Sequence, residues 1–141
     1  LSLKIILNAK PIAKQRPRFS KFGGVYDCQK KEQWNTKQQI KKQIESEYEM
    51  NKDDVLVKEG VPLKMNIVFK TSMPKSFSKK KKKELDGKPD LRRPDLDNYE
   101  KFYMDVMNNL VYKDDSQICK IISEKVYAVE SSVEICLEEI I

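Results

Sequence analysis

Five side chains in one stretch of this 141-residue sequence have the types and spacing of a phosphate-handling site. Asp95 and Asp97 stand two residues apart, Lys101 follows Asp97 by four, and Asp114 adjoins Asp115. Carboxylates held close repel one another unless a cation lies between them, so grouping them costs stability that a bound ion would offset. In an extended segment residues i and i+2 point the same way, with Cα atoms roughly 6.5 Å apart, so Asp95 and Asp97 can face one ion. Magnesium keeps several waters and usually takes one or two carboxylates plus phosphate oxygens, which suits an open set of two or three aspartates better than a closed cage. Asp114 or Asp115 could supply the remaining ligand. Lys101, one helical turn beyond Asp97, is placed to meet a phosphate on that ion. In phosphodiester hydrolysis the metal lowers the pKa of water and neutralises the phosphate, while an ammonium stabilises charge that grows in the transition state. Each residue also has a plain structural reading. Asp97 with Glu100 resembles a helix N-cap and its box partner, Asp114-Asp115 a polar turn, and Asp105 the i+4 ion-pair partner of Lys101.

The charge around these acids points to a polyanion. The chain carries 28 basic and 22 acidic residues, a net +6. Lys10, Lys14, Arg16, Arg18 and Lys21 fall in one window without an acid. A second window holds Lys75, Lys79, Lys80, Lys81, Lys82, Lys83, Lys88, Arg92 and Arg93 against Glu84, Asp86 and Asp90. From Asp95 onward the balance reverses, with eleven acids against Lys101, Lys113, Lys120 and Lys125. Two cationic patches flanking an anionic centre suit nucleic acid gripped along its backbone, with metal where the acids approach it.

Other chemistries fit less well. Histidine is absent, which removes Ser-His-Asp and Cys-His hydrolysis, histidine-based ribonuclease chemistry and most zinc hydrolysis. Cys28, Cys119 and Cys136 are odd in number and lack CxxC spacing, against a disulfide scaffold or a zinc site. Counted from Asp95, an EF-hand loop would need an oxygen ligand and a glycine where Tyr99 and Glu100 stand. A glycosidase pair would leave the cationic patches unexplained. No apolar run reaches the roughly 18 residues of a membrane span, and Leu3–Ala9 lacks the layout of a signal peptide, so the expectation is a soluble, cytoplasmic protein.

The elements that must position these residues read as an α+β fold, a single domain over residues 1–141 with helices packed on one mixed sheet. Leu3–Ala9 alternates as a strand, and the proline- and glycine-broken segment that follows leaves its cations in a loop. Asp27 is placed to cap a helix running to about Met50, with Trp34, Ile40, Ile44 and Tyr48 in one stripe. Leu63, Met65, Ile67 and Phe69 mark a second strand. Ser78 and Gly87 bracket a short lysine-rich helix. Tyr99, Phe102, Tyr103, Val106, Met107 and Leu110 give an amphipathic helix from Asn98 to Asn108, closed by Asn109 in the left-handed conformation. "QICKIISEKVYAV" and "SVEICLEEI" read as an antiparallel hairpin turning at Glu130-Ser131.

The stretch "RRPDLDNYEKFYMDVMNNLVYKDDSQI" resembles the signature of the RusA family of Holliday junction resolvases. That pattern joins a DLDN segment to a lysine one turn later, an aspartate a further turn on, and a DDSQ turn before a strand. Asp95, Asp97, Asn98, Lys101, Asp105, Asp114, Asp115 and Gln117 match it, with Lys125 on the next strand. The upstream "MPKSFSKKKKKELDGKPD" and "KPIAKQRPR" are similar to the family's basic segments; Asn109 stands where the family often has glycine. The resemblance implies a small homodimeric endonuclease, encoded by bacteria or prophages, that uses magnesium, with manganese as an alternative, to make paired nicks in four-way DNA junctions for recombination and repair. It further implies Asp95, Asp97 and Asp115 as metal-binding catalytic aspartates, with Asp114 as an alternative ligand, and Lys101 as the catalytic lysine. The two basic windows would hold the DNA arms. A non-catalytic nucleic-acid-binding protein and a nuclease for flaps or other branched DNA are the alternative readings.

Overall fold

The computed structural model describes residues 1–51 and 53–141. Alternation in the sequence builds its sheet. Leu3, Ile5 and Leu7 of β1 (Ser2–Leu7), Leu63, Met65, Ile67 and Phe69 of β4 (Leu63–Ser72), and Val133, Ile135 and Leu137 of β6 (Ser132–Glu139) are buried on one face. With β5 (Ile118–Ala128) they form a four-stranded sheet in the order β1-β6-β4-β5, so the expected mixed sheet and α+β class hold.

The expected hairpin does not. β4 lies between β5 and β6, parallel to the first and antiparallel to the second. Two alternating segments joined by a short link look alike whether they pair directly or flank a third strand. The link at Val129–Ser131 must cross only two strand spacings, roughly 9.6 Å, which the four Cα-to-Cα steps from Ala128 to Ser132 span with room to spare. Ser131 Oγ accepts the Ser72 N–H at 3.1 Å as the link passes over the end of β4. The longest apolar alternation thus takes the centre, where both of its edges are paired.

Two helices cover the apolar face. α1 (Lys30–Glu45) buries Thr36, Ile40 and Ile44. Asp27 accepts the Gln29 N–H at 2.8 Å and so caps from just outside, with Gln29 at the N-cap position. α1 ends five residues before Met50, and Trp34 is 63% exposed because the buried stripe is centred on Thr36 and Ile40, to one side of it. α3 (Leu96–Val106) begins two residues earlier than its apolar repeat suggests and buries Tyr99, Phe102, Tyr103 and Val106, with Tyr99 stacked on Phe69 at 5.0 Å. Asn109 takes φ 62°, and the chain turns into the buried run Leu110–Tyr112.

Between these elements lie two smaller ones. The first basic segment contains a two-stranded ribbon, β2 (Arg18–Phe19) with β3 (Val25–Tyr26), too short to leave a periodic signature. α2 (Lys79–Leu85) follows its sequence signals closely: Ser78 Oγ accepts the Lys81 N–H at 3.1 Å, and Gly87 adopts φ 79°.

Candidate functional site

α3 carries the centre of the site. Asp97, Lys101 and Asp105 recur at spacings of four, so they share one stripe of the helix, opposite the aromatic residues that anchor it, and Asn108 follows three residues on, just past the helix end. Asp95 holds the N-cap position, yet its carboxylate makes no capping hydrogen bond; Asp97 falls in the first turn. Glu100 accepts from Ser123 Oγ rather than from the N-cap backbone. The expected Asp97–Glu100 capping box is therefore absent, and Asp95 and Asp97 both stand exposed. Such carboxylates have no structural partner to give up on meeting an ion.

The approach to Asp95 is braced from β5. Lys125 donates to Arg92 O and, at 2.8 Å, to Pro94 O, on either side of the cis Arg93–Pro94 peptide. Asp90 is 5% exposed and receives Nε and Nη2 of Arg92, each at 3.0 Å, together with Thr71 Oγ1. Burial works against the Asp90 charge, but the hydrogen bonds from Arg92 and Thr71 outweigh it and hold the carboxyl below the usual range. Arg92 also lies over the Tyr127 ring at 4.8 Å. Its guanidinium is committed to the fold, unlike the exposed Arg93 beside it.

The second acidic turn enters at the far end of α3. Asp115–Gln117 form a 3-10 turn, with Asp114 as N-cap and Gln117 as its box partner. Gln117, only 8% exposed, ties this turn to the rest of the domain through Nε2 to Lys58 O and Val61 O at 3.0 and 3.2 Å. Asp114 accepts from the hydroxyl and N–H of Ser116, which lower its pKa. Asp115 instead turns inward. Burial raises its pKa first, then the charges of Asp114 and Asp105 and a hydrogen bond with the Asp105 carboxyl, against a lowering bond from Asn108. Asn108 Oδ1 is itself buried with no hydrogen-bond partner.

Lys14 reaches this pair from the first basic window. Its Nζ lies 3.4 Å from Asp105 Oδ2, and its N–H donates to Asn98 O at 2.8 Å. Ile12 N–H to Tyr103 Oη at 2.9 Å and Gln29 Nε2 to Ala13 O at 2.8 Å fix the same segment against α3 and α1. Asp105 thus pairs with Lys14 and not with Lys101, which is exposed. An i+4 rule sees only its own helix, and a lysine ninety-one residues away wins because its backbone is already docked there.

The fold therefore brings Asp115, Asp105, Asn108 and Lys14 together. It does not gather Asp95, Asp97 and Asp115 tightly: among the described residues no group of three or more Asp, Glu, Cys or His side chains stands close enough to share an ion. The Asp105–Asp115 pair, in which burial and neighbouring charge raise the Asp115 pKa and which stands beside an unpartnered amide oxygen, fits a cation that takes one or two carboxylates and completes its shell with water and phosphate. Sequence reasoning placed Asp105 and Asn108 on the polar side of α3 but missed their meeting with Asp115; the shared stripe with Lys101 was the available signal.

Basic residues of the two windows meet near the start of α3. Lys10 and Arg93, one from each cationic window, line a cleft of about 210 Å³ that also borders Pro94 and Tyr99. Lys10, Arg16, Arg18 and Lys21 are exposed, as are Lys75, Lys79, Lys80, Lys81, Lys83 and Lys88; Lys82 is half-buried. Lys81 Nζ sits 3.8 Å above the Phe77 ring. A larger hollow of about 760 Å³ beyond α1 is lined by Glu45, Glu47, Glu49 and Asp54, the wrong charge for a polyanion. No helix among the described residues is long and apolar enough to cross a membrane.

A family model described as endodeoxyribonuclease RusA matches residues 8–138. "Uncharacterized protein YqaN" of Bacillus subtilis (strain 168) is 40% identical over 83 residues, 56% of this chain and 58% of that protein. The chain thus spans little more than half the length of this curated relative.

Proposed function

The chain belongs to the RusA family of endodeoxyribonucleases, and from that premise we propose that it is a divalent-metal-dependent nuclease that resolves four-way DNA junctions by paired phosphodiester hydrolysis. The observation that carries the reading is the Asp105–Asp115 carboxylate pair at one end of α3, with uncommitted Asp95 and Asp97 and residues of both cationic windows at the other. A protein that only held DNA would gain nothing from acids that repel its ligand. Asp115, with Asp105 beside it, would hold the ion, magnesium or manganese, while Asp95 and Asp97 stay exposed at the start of α3, free to meet it as DNA draws the site together. When bound, such an ion supplies a water of lowered pKa and neutralises phosphate charge.

The chain's own residues do the rest. Lys101, exposed on the stripe between Asp97 and Asp105, sets its ammonium toward a phosphate at that stripe and stabilises charge developing on the phosphoryl oxygens. Lys14 holds Asp105 in place and lowers the repulsion that Asp115 feels. Lys10 and Arg93, with the exposed lysines of α2, draw the DNA backbone across the site. A twofold dimer would present two such sites to the two related strands of a junction. Work in bacterial or prophage recombination and repair, in the cytoplasm, follows from the family premise.

The test is cleavage of labelled synthetic junctions and matched linear duplexes, with magnesium or chelator, by the wild type and Asp95→Asn. Paired cuts confined to junctions, dependent on magnesium and lost in Asp95→Asn, are expected. Equal cutting of both substrates would remove junction selectivity, and full activity in Asp95→Asn would remove the site.

A further inference from the structure

The exposed aromatic residues of this chain all lie between Phe19 and Trp34; every other aromatic side chain is buried or half-buried. Phe19, Phe22 and Tyr26 belong to the β2–β3 ribbon. Phe19 stands opposite Val25 and so shares one face of the ribbon with it, while Arg18 and Tyr26 share the other. Phe22 occupies the tip and is 99% exposed. Gly23, at φ 85°, donates its N–H to Ser20 O at 3.2 Å, and the Gly24 N–H meets Ser20 Oγ at 3.0 Å. These bonds fix the turn and leave the Phe22 ring free. Two strands of two residues each cannot cover such side chains, and Phe19 is 80% exposed. A contiguous apolar surface of this kind marks a place where something docks.

Charge says what docks. Arg16, Arg18 and Lys21 are exposed among these rings, and no acid occurs from Lys10 to Tyr26. The core of a protein interface is depleted of charge, whereas unpaired nucleic acid is held by cations on its backbone and aromatic rings on its bases. The ribbon is also rooted beside the acidic site. Gln29, 1% exposed, accepts the Gln15 N–H at 2.9 Å, and Cys28 Sγ meets Gln15 Oε1 at 3.3 Å, so both ends of the ribbon are clamped together. Lys14, the ion-pair partner of Asp105, directly precedes this clamp. Phe22 is seven residues beyond Gln15 and so stands at most roughly 23 Å from it. That is the length of roughly seven base-pair steps, so ring and carboxylates can engage one DNA molecule.

We propose that Phe22, with Phe19 and Val25 behind it, packs against nucleobases left unstacked at the branch point of a DNA junction. In a continuous duplex each base face is covered by its neighbours, and an apolar wedge must part them at a cost of a few kcal/mol per step. A branch point has already interrupted the stack, so the ring meets a base face there at a lower cost. Every base has such a face, so the ribbon reads the shape of the DNA and not its sequence. Arg18 and Lys21 hold the adjoining phosphates. Selectivity for junctions thus sits on the ribbon, apart from the carboxylates that cut. The inference rests on the branched-DNA substrate proposed above and names residues that recognise it.

The test uses the full chain in chelator, where no cleavage intervenes, and measures binding to a labelled four-way junction and to a linear duplex of the same sequence. Phe22→Ala should lose about tenfold in affinity for the junction, the scale of one base–aromatic contact, and less than about twofold for the duplex. Its melting temperature should match wild type, because the ring is fully exposed. Phe22→Trp in a Trp34→Phe background makes the tip the only tryptophan of the chain. Its emission should be quenched by the junction and not by the duplex. Unchanged junction affinity in Phe22→Ala, an equal loss on both substrates, or tip emission that ignores saturating junction overturns the proposal. So does a smaller sedimenting species for Phe22→Ala without DNA, which would assign the ring to a contact between copies. Cleavage by wild type in magnesium is read separately. Junctions cut by wild type and bound normally by Phe22→Ala remove the ribbon's role and leave the nuclease; ring-dependent junction binding without cleavage does the reverse.

Discussion

Replacing Asp115 by Asn should stabilise the protein in chelator and destabilise it, relative to wild type, in magnesium. The carboxyl of Asp115 is pushed up by burial and by the charges of Asp114 and Asp105. At roughly 4 Å and an effective dielectric of about 20, one such repulsion amounts to about 4 kcal/mol. The site is half-buried and Lys14 lies 3.4 Å from Asp105, so water and that ammonium screen most of it. About 1 kcal/mol remains for relief by a neutral amide of the same shape. For a chain of this size that is a rise of roughly 2–4 °C in melting temperature. Magnesium acts in the opposite sense. An ion bound at about 1 mM and supplied at about 10 mM stabilises the folded wild type by about 1.4 kcal/mol, and a variant without the ligand gains none of it. The two melting curves should therefore cross as magnesium is titrated. Scanning calorimetry at pH 8, in chelator and then across a magnesium series, reads both terms without any nuclease assay. A variant that melts below wild type in chelator, or that gains as much from magnesium as wild type does, refutes the reasoning.

Lys101→Ala should fold normally, because the side chain is exposed, and should lose about 100- to 1000-fold in single-turnover cleavage, the scale of removing one group that stabilises transition-state charge. Lys125→Met removes the donor to Arg92 O and Pro94 O. Loss of this brace on the approach to Asp95 should lower the cleavage rate more than DNA affinity, read by separate binding and single-turnover measurements. Asp90→Asn breaks the buried pair with Arg92 and should cost about 2–3 kcal/mol at neutral pH, since Arg92 keeps partial access to water. The Asp90 carboxyl is depressed in the folded state, so its contribution is present above the unfolded value near 3.8 and is lost as pH falls through the lower folded value. Melting temperatures of wild type and Asp90→Asn should accordingly converge in strong acid; a gap that stays constant from pH 7 down to about pH 2 would count against the ion pair as its source.

What could be read from the sequence was whatever depends on a residue's near neighbours. The burial of Leu3, Ile5 and Leu7, the bracketing of α2 by Ser78 and Gly87, the aromatic face of α3 and the left-handed Asn109 all follow from side-chain period and backbone preference over a few residues. The stripe Asp97–Lys101–Asp105 is of the same kind, which is why the helical half of the site was legible. Helix ends were less so: a capping box of Asp97 with Glu100 and a start at Asn98 fit the local pattern as well as the observed start at Leu96.

Tertiary structure alone decided which distant groups meet. β4 separates β5 from β6 because a central strand needs partners on both edges, and pairing order is settled by the burial of the whole sheet, not by the link between two strands. Lys14 reaches Asp105, and Asp115 turns toward the same carboxylate, because docking of the first loop on α3 and the anchoring of Gln117 fix their backbones there. Trp34 and Arg92 make the same point from the other side: one lies off the buried stripe and the other is held by a buried aspartate, and neither fact is written within a few residues of them in a form that period or charge can show. Period and propensity act along the chain, whereas choice of partner is a property of the packed whole.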